Sequence, residues 1–337
     1  MIRLFYVLLT ACLVFSCEQP EKAAPVYKKV TGITMGVVTY NVTYRDTSNT
    51  DLYPLIDSLL DKLNTSLSTY IPESEISVLN ATNKLTYSSP FFEPMLRKSK
   101  EIYSITSGAF DPTVGPLVNL WGFGPEKDND IPDSLTIAET MKTIGFDKVV
   151  YDEEQVTTQQ GVMLDFSAIA KGYAVDEVAN LLQQKGITDY FVEIGGEVTC
   201  KGVNPKGQAW RTGIFDPRVT NDPSRQLAAI VSLEDMAVAT SGNYRNFYVK
   251  DGKKYAHTIS PFTGYPVEHS LLSASVFANT CVVADAYATA FLVIGLEKAI
   301  QLTEANPALE AHLIYVDTDG NLASYSSGGI KDKIILE

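Results

Sequence analysis

Short runs of β-branched and aromatic residues, separated by brief turns, constrain the fold of this chain more than any other feature. One run, residues 190–194, is ended by Gly195-Gly196. Such strands cluster together and helical patterns cluster elsewhere, which favours an α+β fold with mostly antiparallel sheets flanked by helices over a doubly wound fold. The predicted strands are 37–44, 190–194, 210–215, 227–233, 246–249 and 273–277, with a hairpin of 313–316 and 322–325 through Asp319-Gly320.

Apolar residues at helical spacing predict the helices. In the first of them the apolar residues share one face, and Pro54 occupies the first turn, where proline is tolerated. The stretch 121–132 is rich in Gly, Pro and Asp and predicts a loop inserted between two halves of the chain. The predicted helices are 52–67, 92–105, 135–144, 173–184 and 283–305, the last being one long helix or two short ones around Gly295.

The N-terminus predicts export and a lipid anchor. Arg3 precedes an apolar run, 4–15, that is too short to span a bilayer but suits the core of a signal peptide. Ser16-Cys17 follows the run, and the whole resembles a bacterial lipoprotein signal with lipid on Cys17. We therefore expect a signal segment 1–16, a tether 17–30 and one main domain 31–337, held at the cell membrane on its extracytoplasmic side. The alternative is an ordinary secreted protein cut nearby.

Charge and cysteine content argue against a nucleic-acid-binding protein and against a disulfide-rich scaffold. The formal net charge of -13 disfavours binding to phosphate backbones, so nucleic acid is not an expected partner. Cleavage before Cys17 would leave Cys200 and Cys281, too few for a disulfide framework. Both lie in apolar runs, which indicates buried free thiols rather than a bridge.

Two glycine-containing segments in the first half of the chain have the composition of ligand sites. The segment 107–113, Ser-Gly-Ala-Phe-Asp-Pro-Thr, is by itself more typical of a helix end followed by a turn. The segment 164–173 has small residues, Gly172 and a cation, Lys171, near a helix start, an arrangement that suits phosphate. A solvated lysine before a helix is the plain alternative.

Two further segments, 257–266 and 281–290, carry a histidine and a candidate metal pair. His257 lies where a strand runs into a Pro/Gly turn and is our choice of proton acceptor, whereas His269 and His312 lack such a setting. Asp285 and Thr289 are four residues apart in a helical pattern, so their oxygens can share a hard cation. An Asp that caps the helix, with a Thr bonded back into it, remains the alternative.

In this order and over this length, the four segments resemble the ApbE family of flavin transferases, the FAD:protein FMN transferases. The resemblance covers nearly the whole chain from about Thr31 onward, and it implies an ApbE-like active site between two subdomains. Further matching segments are Thr34-Met35-Gly36, Ser68-Thr69-Tyr70, Ser74-Glu75-Ile76-Ser77, Glu193-Ile194-Gly195-Gly196 and Ala239-Thr240-Ser241-Gly242.

The resemblance implies a role for each matching position. An aromatic ring at Tyr70 suits stacking on a flat heterocycle. Phe166-Ser167 departs from the Leu-Gly of many members. The implied FAD contacts are Met35, Tyr70, Ala109, Phe110, Asp111, Asp165, Lys171 and Ile259, the implied metal ligands are Asp285, Thr289 and the carbonyl of Ala168, and the implied base is His257.

The expected reaction follows from the same resemblance. With magnesium or manganese bound, the chain is expected to move FMN from FAD to a Thr or Ser hydroxyl of an exported flavoprotein, such as a subunit of a membrane redox complex, and to release AMP. One alternative is an FAD pyrophosphatase, in which water replaces the hydroxyl. The other is a non-catalytic flavin-binding lipoprotein.

Overall fold

The computed structural model describes residues 26–46, 50–124, 130–218, 227–244 and 246–336. The predicted signal segment 1–16 and the predicted lipid acceptor Cys17 lie outside the described residues. The first strand begins at Tyr27, so residues 27–30 of the predicted tether 17–30 are part of a sheet.

The described residues contain sixteen strands, half of them in one antiparallel sheet. They are β1 Tyr27–Thr34, β2 Val38–Arg45, β3 Lys84–Thr86, β4 Val149–Tyr151, β5 Gln155–Thr158, β6 Tyr190–Ile194, β7 Glu197–Lys201, β8 Trp210–Phe215, β9 Leu227–Leu233, β10 Ala237–Gly242, β11 Phe247–Lys250, β12 Lys253–Ala256, β13 Leu271–Ala278, β14 Glu310–Val316, β15 Leu322–Ser326 and β16 Ile334–Leu336. The main sheet has the order β1-β2-β6-β7-β10-β13-β14-β15, and its neighbours pair antiparallel. Two three-stranded sheets, β16-β9-β8 and β3-β5-β4, and the hairpin β11-β12 complete the strands.

Eight α-helices are present in the described part of the chain. They are α1 Tyr53–Leu67, α2 Glu75–Thr82, α3 Phe92–Ile105, α4 Gly115–Leu120, α5 Ser134–Met141, α6 Ala170–Gln184, α7 Cys281–Ile294 and α8 Leu296–Ala305. Helix α7 is buried on nearly every side, as expected for a helix that is apolar all round. Its small residues allow close packing against β10, β13 and α6.

The main sheet carries a different core on each face. The larger core lies between the sheet and the helices and includes Val192, Ile194 and Val175. On the opposite face, Val198 and Cys200 pack with residues of the sheet β16-β9-β8. Because side chains alternate along a strand, Glu197 in β7 points to the face that carries α6 and α7.

The structure confirms the α+β prediction and most predicted elements, with differences in their bounds and with additional elements. Helix α6 begins at Ala170 rather than at residue 173, and α7 begins at Cys281 rather than at residue 283. Gly295 separates α7 from α8, in agreement with the two-helix form of the prediction. The elements that were not predicted are helices α2 and α4 and strands β1, β3, β4, β5, β7, β10, β12 and β16. His312, expected before a strand, is buried inside β14. Cys200 and Cys281 are buried and free, as predicted.

Across the described ranges, none of the helices combines the length and the apolar composition that a bilayer crossing requires.

Candidate active site

The site is built where the N-terminal turn of α6 contacts α7. Gly172 in α6 lies against α7 so closely that a Cβ atom placed there would be 2.3 Å from the carbonyl oxygen of Cys281 and 2.8 Å from the Cβ of Asp285. The Gly172 N–H donates a hydrogen bond to Asp285 Oδ2 over 2.9 Å. The glycine therefore allows the backbone of one helix to hold the buried carboxylate of the other.

Replacing Gly172 with alanine is expected to lower the free energy of unfolding by about 1–3 kcal/mol, because the added methyl group meets backbone atoms that cannot move aside. Urea unfolding measures this change. Gly328→Ala is the matched control, since a Cβ there meets no atom within 4 Å. The control is expected to change stability by no more than about 0.5 kcal/mol. Equal stability of the two variants would contradict the close approach of α6 and α7.

A lysine joins two buried carboxylates at this contact. Lys171 Nζ lies 2.5 Å from Glu197 Oε1 and 3.7 Å from Asp285 Oδ1, and the lysine side chain is 30% exposed. Burial alone would lower the Lys171 pKa, but the charges of Asp285 and Glu197 outweigh it and raise the pKa. Burial raises the pKa of both carboxyl groups, and Lys171 opposes that rise. The result is a fixed cation that remains accessible at the surface of the site.

A third carboxylate, that of Asp176, fixes the start of α7. Asp176 in α6 accepts hydrogen bonds from the backbone N–H groups of Cys281, at 2.9 Å, and Val282, at 2.8 Å. These N–H groups lie in the first turn of α7, where no intrahelical partner exists and the helix dipole favours a negative charge. Burial raises the pKa of Asp176 to about 7. Together Asp176 and Gly172 set the position of Asp285 relative to Lys171.

His257 has the hydrogen bonding that a proton acceptor needs. Its ring Nδ1 lies 3.1 Å from the carbonyl oxygen of Asn246. A carbonyl can only accept, so Nδ1 carries the proton and Nε2 carries the lone pair in the neutral ring. Burial lowers the His257 pKa, the Asn246 contact opposes this, and the charge of Lys171 lowers it further. The neutral form, which can take a proton, is therefore favoured near pH 7.

Tyr70 and Asp165 lie near enough to each other to interact electrostatically. The Tyr70 side chain is 66% exposed. Burial of its hydroxyl and the charge of Asp165 raise its pKa. The Asp165 N–H donates to the carbonyl of Pro112 at 2.7 Å, which connects the segments 107–113 and 164–173. An exposed ring beside a carboxylate is free to stack on a ligand.

The segment that contains Ala109, Phe110 and Asp111 is buried rather than open. Ala109 and Phe110 belong to the main core. Asp111 Oδ1 accepts hydrogen bonds from the N–H and hydroxyl of Thr113, at 2.8 and 2.7 Å. Burial raises the Asp111 pKa and these bonds oppose the rise. Any contact of residues 109–111 with a ligand would therefore involve their backbone atoms more than their side chains.

Met35 and Ile259 lie in two different turns. Met35 occupies the turn between β1 and β2 with a φ of 47°, a left-handed conformation that is uncommon for methionine. Ile259 is buried and pairs with Pro266 in an antiparallel bridge. The turn from Ile259 to Pro266 also brings Phe262 near Gly108, since a Cβ on that glycine would be 3.7 Å from the phenyl ring.

Comparison with known proteins identifies the family. The sequence model of the ApbE family matches residues 35–313. The chain belongs to the ApbE family. The FAD:protein FMN transferase of Haemophilus influenzae is 37% identical over 330 residues, which cover 94% of this chain and 93% of that protein. The FAD:protein FMN transferase of Escherichia coli K12 is 37% identical over 346 residues, covering 98% and 97%.

Solved structures of ApbE proteins have the same fold. The flavin transferase ApbE from Vibrio cholerae has a TM-score of 0.80 and 35% identity, covering 92% of this chain and 99% of that one. The apo form of the flavinyl transferase ApbE from Pseudomonas stutzeri has a TM-score of 0.81 and 32% identity, covering 92% and 97%. These similarities confirm the family resemblance. The arrangement of the site between two subdomains stays a prediction.

The donors of this ApbE site fit the divalent ion that the resemblance implies. In the described part of the chain, no three His, Cys, Asp or Glu side chains are grouped to hold a metal, so the ion would depend on mixed oxygen donors. Asp285 and Thr289 are one turn apart on α7, and Ala168 lies in the turn before α6. Two buried carboxylates face one ammonium, which leaves an excess of negative charge. Oxygen donors with excess negative charge suit magnesium or manganese.

Glu197 is the member of the ApbE site that the sequence did not predict. Its segment was noticed only through Glu193 to Gly196, where the glycines form the turn between β6 and β7. The sequence feature that could have indicated Glu197 is its position: a carboxylate stands directly after this turn, at the start of the next strand-like segment. Buried carboxylates are rare unless they are paired, so such a residue indicates a cation nearby.

Proposed function

We propose that the chain transfers FMN from FAD to a Thr or Ser hydroxyl of an acceptor protein and releases AMP. One observation carries this proposal: Lys171 is a fixed, partly exposed cation, 2.5 Å from Glu197 Oε1 and 3.7 Å from Asp285 Oδ1. His257, whose ring Nδ1 lies 3.1 Å from the Asn246 carbonyl oxygen, supports it. The cation suits the diphosphate of FAD, and the histidine suits the acceptor hydroxyl. The names of the ApbE relatives support the same reaction.

The residues of the chain have distinct parts in this reaction. Nε2 of His257 takes the proton of the acceptor hydroxyl, while the Asn246 carbonyl holds the ring in the required tautomer. The hydroxyl oxygen forms a bond to the phosphorus of the FMN unit, and the bond from that phosphorus to the oxygen of AMP breaks. The Lys171 ammonium stabilises the negative charge on the phosphate oxygens as AMP leaves.

Asp285, Thr289 and the Ala168 carbonyl are the groups that would hold magnesium or manganese. When bound, such an ion supplies Lewis-acid stabilisation of charge on the phosphate oxygens. The site then depends on positioning and electrostatics rather than on a covalent enzyme intermediate.

The location and the acceptor are part of the same proposal. Lipid on Cys17 and the polar segment that follows would keep the domain beside the membrane on its extracytoplasmic side. Acceptors there would be exported flavoproteins, including subunits of membrane redox complexes. Globomycin, which inhibits lipoprotein signal cleavage, would cause the precursor to accumulate, and a Cys17→Ser variant without lipid would be released from membranes. Membrane retention of that variant would contradict the anchor.

The test of the reaction mixes residues 26–337 with FAD, magnesium and an exported flavoprotein that carries a reactive Thr. Transfer gives flavin fluorescence on the acceptor that survives denaturation, and mass spectrometry shows the addition of one FMN. Chromatography distinguishes the alternatives. Free FMN and AMP without labelled acceptor would indicate a pyrophosphatase, and intact FAD would indicate a protein that only binds flavin.

A further inference from the structure

Glu197 lies at the centre of the site, although the family resemblance assigns it no role. It begins β7, directly after the turn Gly195-Gly196, and its residue surface is 2% exposed. Oε1 pairs with Lys171 at 2.5 Å. Oε2 is buried and has no hydrogen-bond partner among the described residues. Burying a carboxylate with one unsatisfied oxygen is costly, so its presence calls for a function.

The distances show which carboxylate holds the lysine. Lys171 Nζ is 1.2 Å closer to Glu197 than to Asp285, from the separations of 2.5 and 3.7 Å. The turn before Glu197 lies beside both side chains of this pair, since a Cβ on Gly195 would be 3.4 Å from Lys171 Cδ and 3.6 Å from Glu197 Oε2. Lys171 therefore extends along the glycine turn toward Glu197 and only approaches Asp285.

This preference matters for binding a divalent ion. Lys171 and such an ion would both be attracted to Asp285, and they repel each other at short range. If Glu197 were neutral, Asp285 would be the one charged carboxylate that pairs with Lys171 among the described residues. The ammonium would then compete with the ion for the same oxygens.

We propose that Glu197 is a positioning residue, which draws the Lys171 ammonium away from Asp285 so that lysine and divalent ion can occupy the site together. This proposal rests on the metal site of the proposed function and not on the identity of the reaction. Its direct consequence is that Glu197 controls metal affinity through Lys171 and not as a ligand of the ion.

The experiment measures Mn²⁺ binding to residues 26–337 by electron paramagnetic resonance, without FAD or acceptor. Glu197→Gln keeps the shape of the side chain and removes its charge. We expect this variant to bind Mn²⁺ about 10- to 100-fold more weakly, the range typical of outer-shell changes at metal sites. Glu193→Gln is the matched control in the same hairpin. Glu193 accepts hydrogen bonds from Asn41 Nδ2 and the Gly196 N–H, and it forms no ion pair with a lysine in the part of the chain that the structure describes. The control is expected to retain wild-type affinity.

A second pair of variants tests whether Glu197 acts through the lysine. Lys171→Met removes the competing cation, so the double variant Lys171→Met, Glu197→Gln is expected to bind Mn²⁺ as tightly as Lys171→Met alone. Weaker binding by the double variant would show that Glu197 contacts the ion itself and would overturn the proposal. Wild-type affinity of folded Glu197→Gln would overturn it as well.

Two further measurements distinguish a change in metal affinity from misfolding of a variant and from failure of the proposed reaction. Circular dichroism and thermal unfolding show whether each variant is folded, and if Glu197→Gln alone does not fold, the comparison of Lys171→Met with the double variant still decides. Flavin transfer by the wild-type chain is measured separately. Its absence would count against the proposed function, while the Mn²⁺ affinities would still test the role of Glu197.

Discussion

Replacing Asp285 with asparagine is expected to lower flavin transfer by at least about a hundredfold, because it removes a charged ligand from the proposed metal site. The asparagine oxygen can still accept the hydrogen bond that the Gly172 N–H donates to Asp285 Oδ2. The contact between α6 and α7 should therefore persist while the affinity for the divalent ion falls. Transfer is measured as acceptor fluorescence after denaturation, and Mn²⁺ affinity by electron paramagnetic resonance.

Asp189→Asn is the matched control for this loss. Asp189 is also buried, but it bonds to the Val203 N–H and to Thr188 and Arg45, away from the site. The control is expected to lower stability while Mn²⁺ affinity and transfer stay at wild-type levels. Transfer by Asp285→Asn at the wild-type rate would remove the metal site from the mechanism.

Replacing His257 with alanine is expected to slow transfer by about 10²–10⁴-fold, the contribution of a positioned general base. FAD affinity should change little, because the proposed role of His257 is toward the acceptor hydroxyl. Isothermal titration with FAD and single-turnover transfer separate the two effects. Lost FAD affinity with an unchanged rate of the bound complex would show that His257 binds FAD instead.

The pH dependence of transfer gives an independent check on His257. Its pKa lies below the usual 6.5, and the neutral ring is the form that accepts a proton. The rate is therefore expected to hold near neutral pH and to fall as the pH drops through this lowered pKa. His257→Ala should lose that decline, whereas His269→Ala should keep it, since His269 Nε2 contacts the Leu292 carbonyl outside the site. An unchanged acidic decline in His257→Ala would assign it to another group.

Local sequence patterns predicted the strands and helices well where periodicity was strong. The apolar face of 52–67 corresponds to α1, and Asp319-Gly320 does lie in the turn of the hairpin β14-β15. Helix α2 has a weaker pattern, since eight residues give barely two turns. The start of α6 was placed too late because Ala170, Lys171 and Gly172 carry no apolar periodicity, and their helical conformation depends on contact with α7.

The site was predictable only in part, since several of its contacts join distant parts of the chain. Lys171 and Asp285 were found because each lies in a distinctive segment. Their meeting, and the addition of Glu197, depend on three elements that pack together only in the folded chain. Asp176 gave no signal, because in sequence it is one more acidic residue on a helix. Its role as the cap of α7 appears only when α6 and α7 are side by side.

The bonds of Gly172 and Asp176 to α7 also determine when the protein can first bind a cation. They span 113 residues from Gly172 to Asp285 and 105 from Asp176 to Cys281. A chain still emerging from the ribosome has the two halves of the site far apart and cannot retain an ion there. Folding and metal acquisition are then linked, and an ion that binds only the folded chain should raise its melting temperature in proportion to the logarithm of ion concentration.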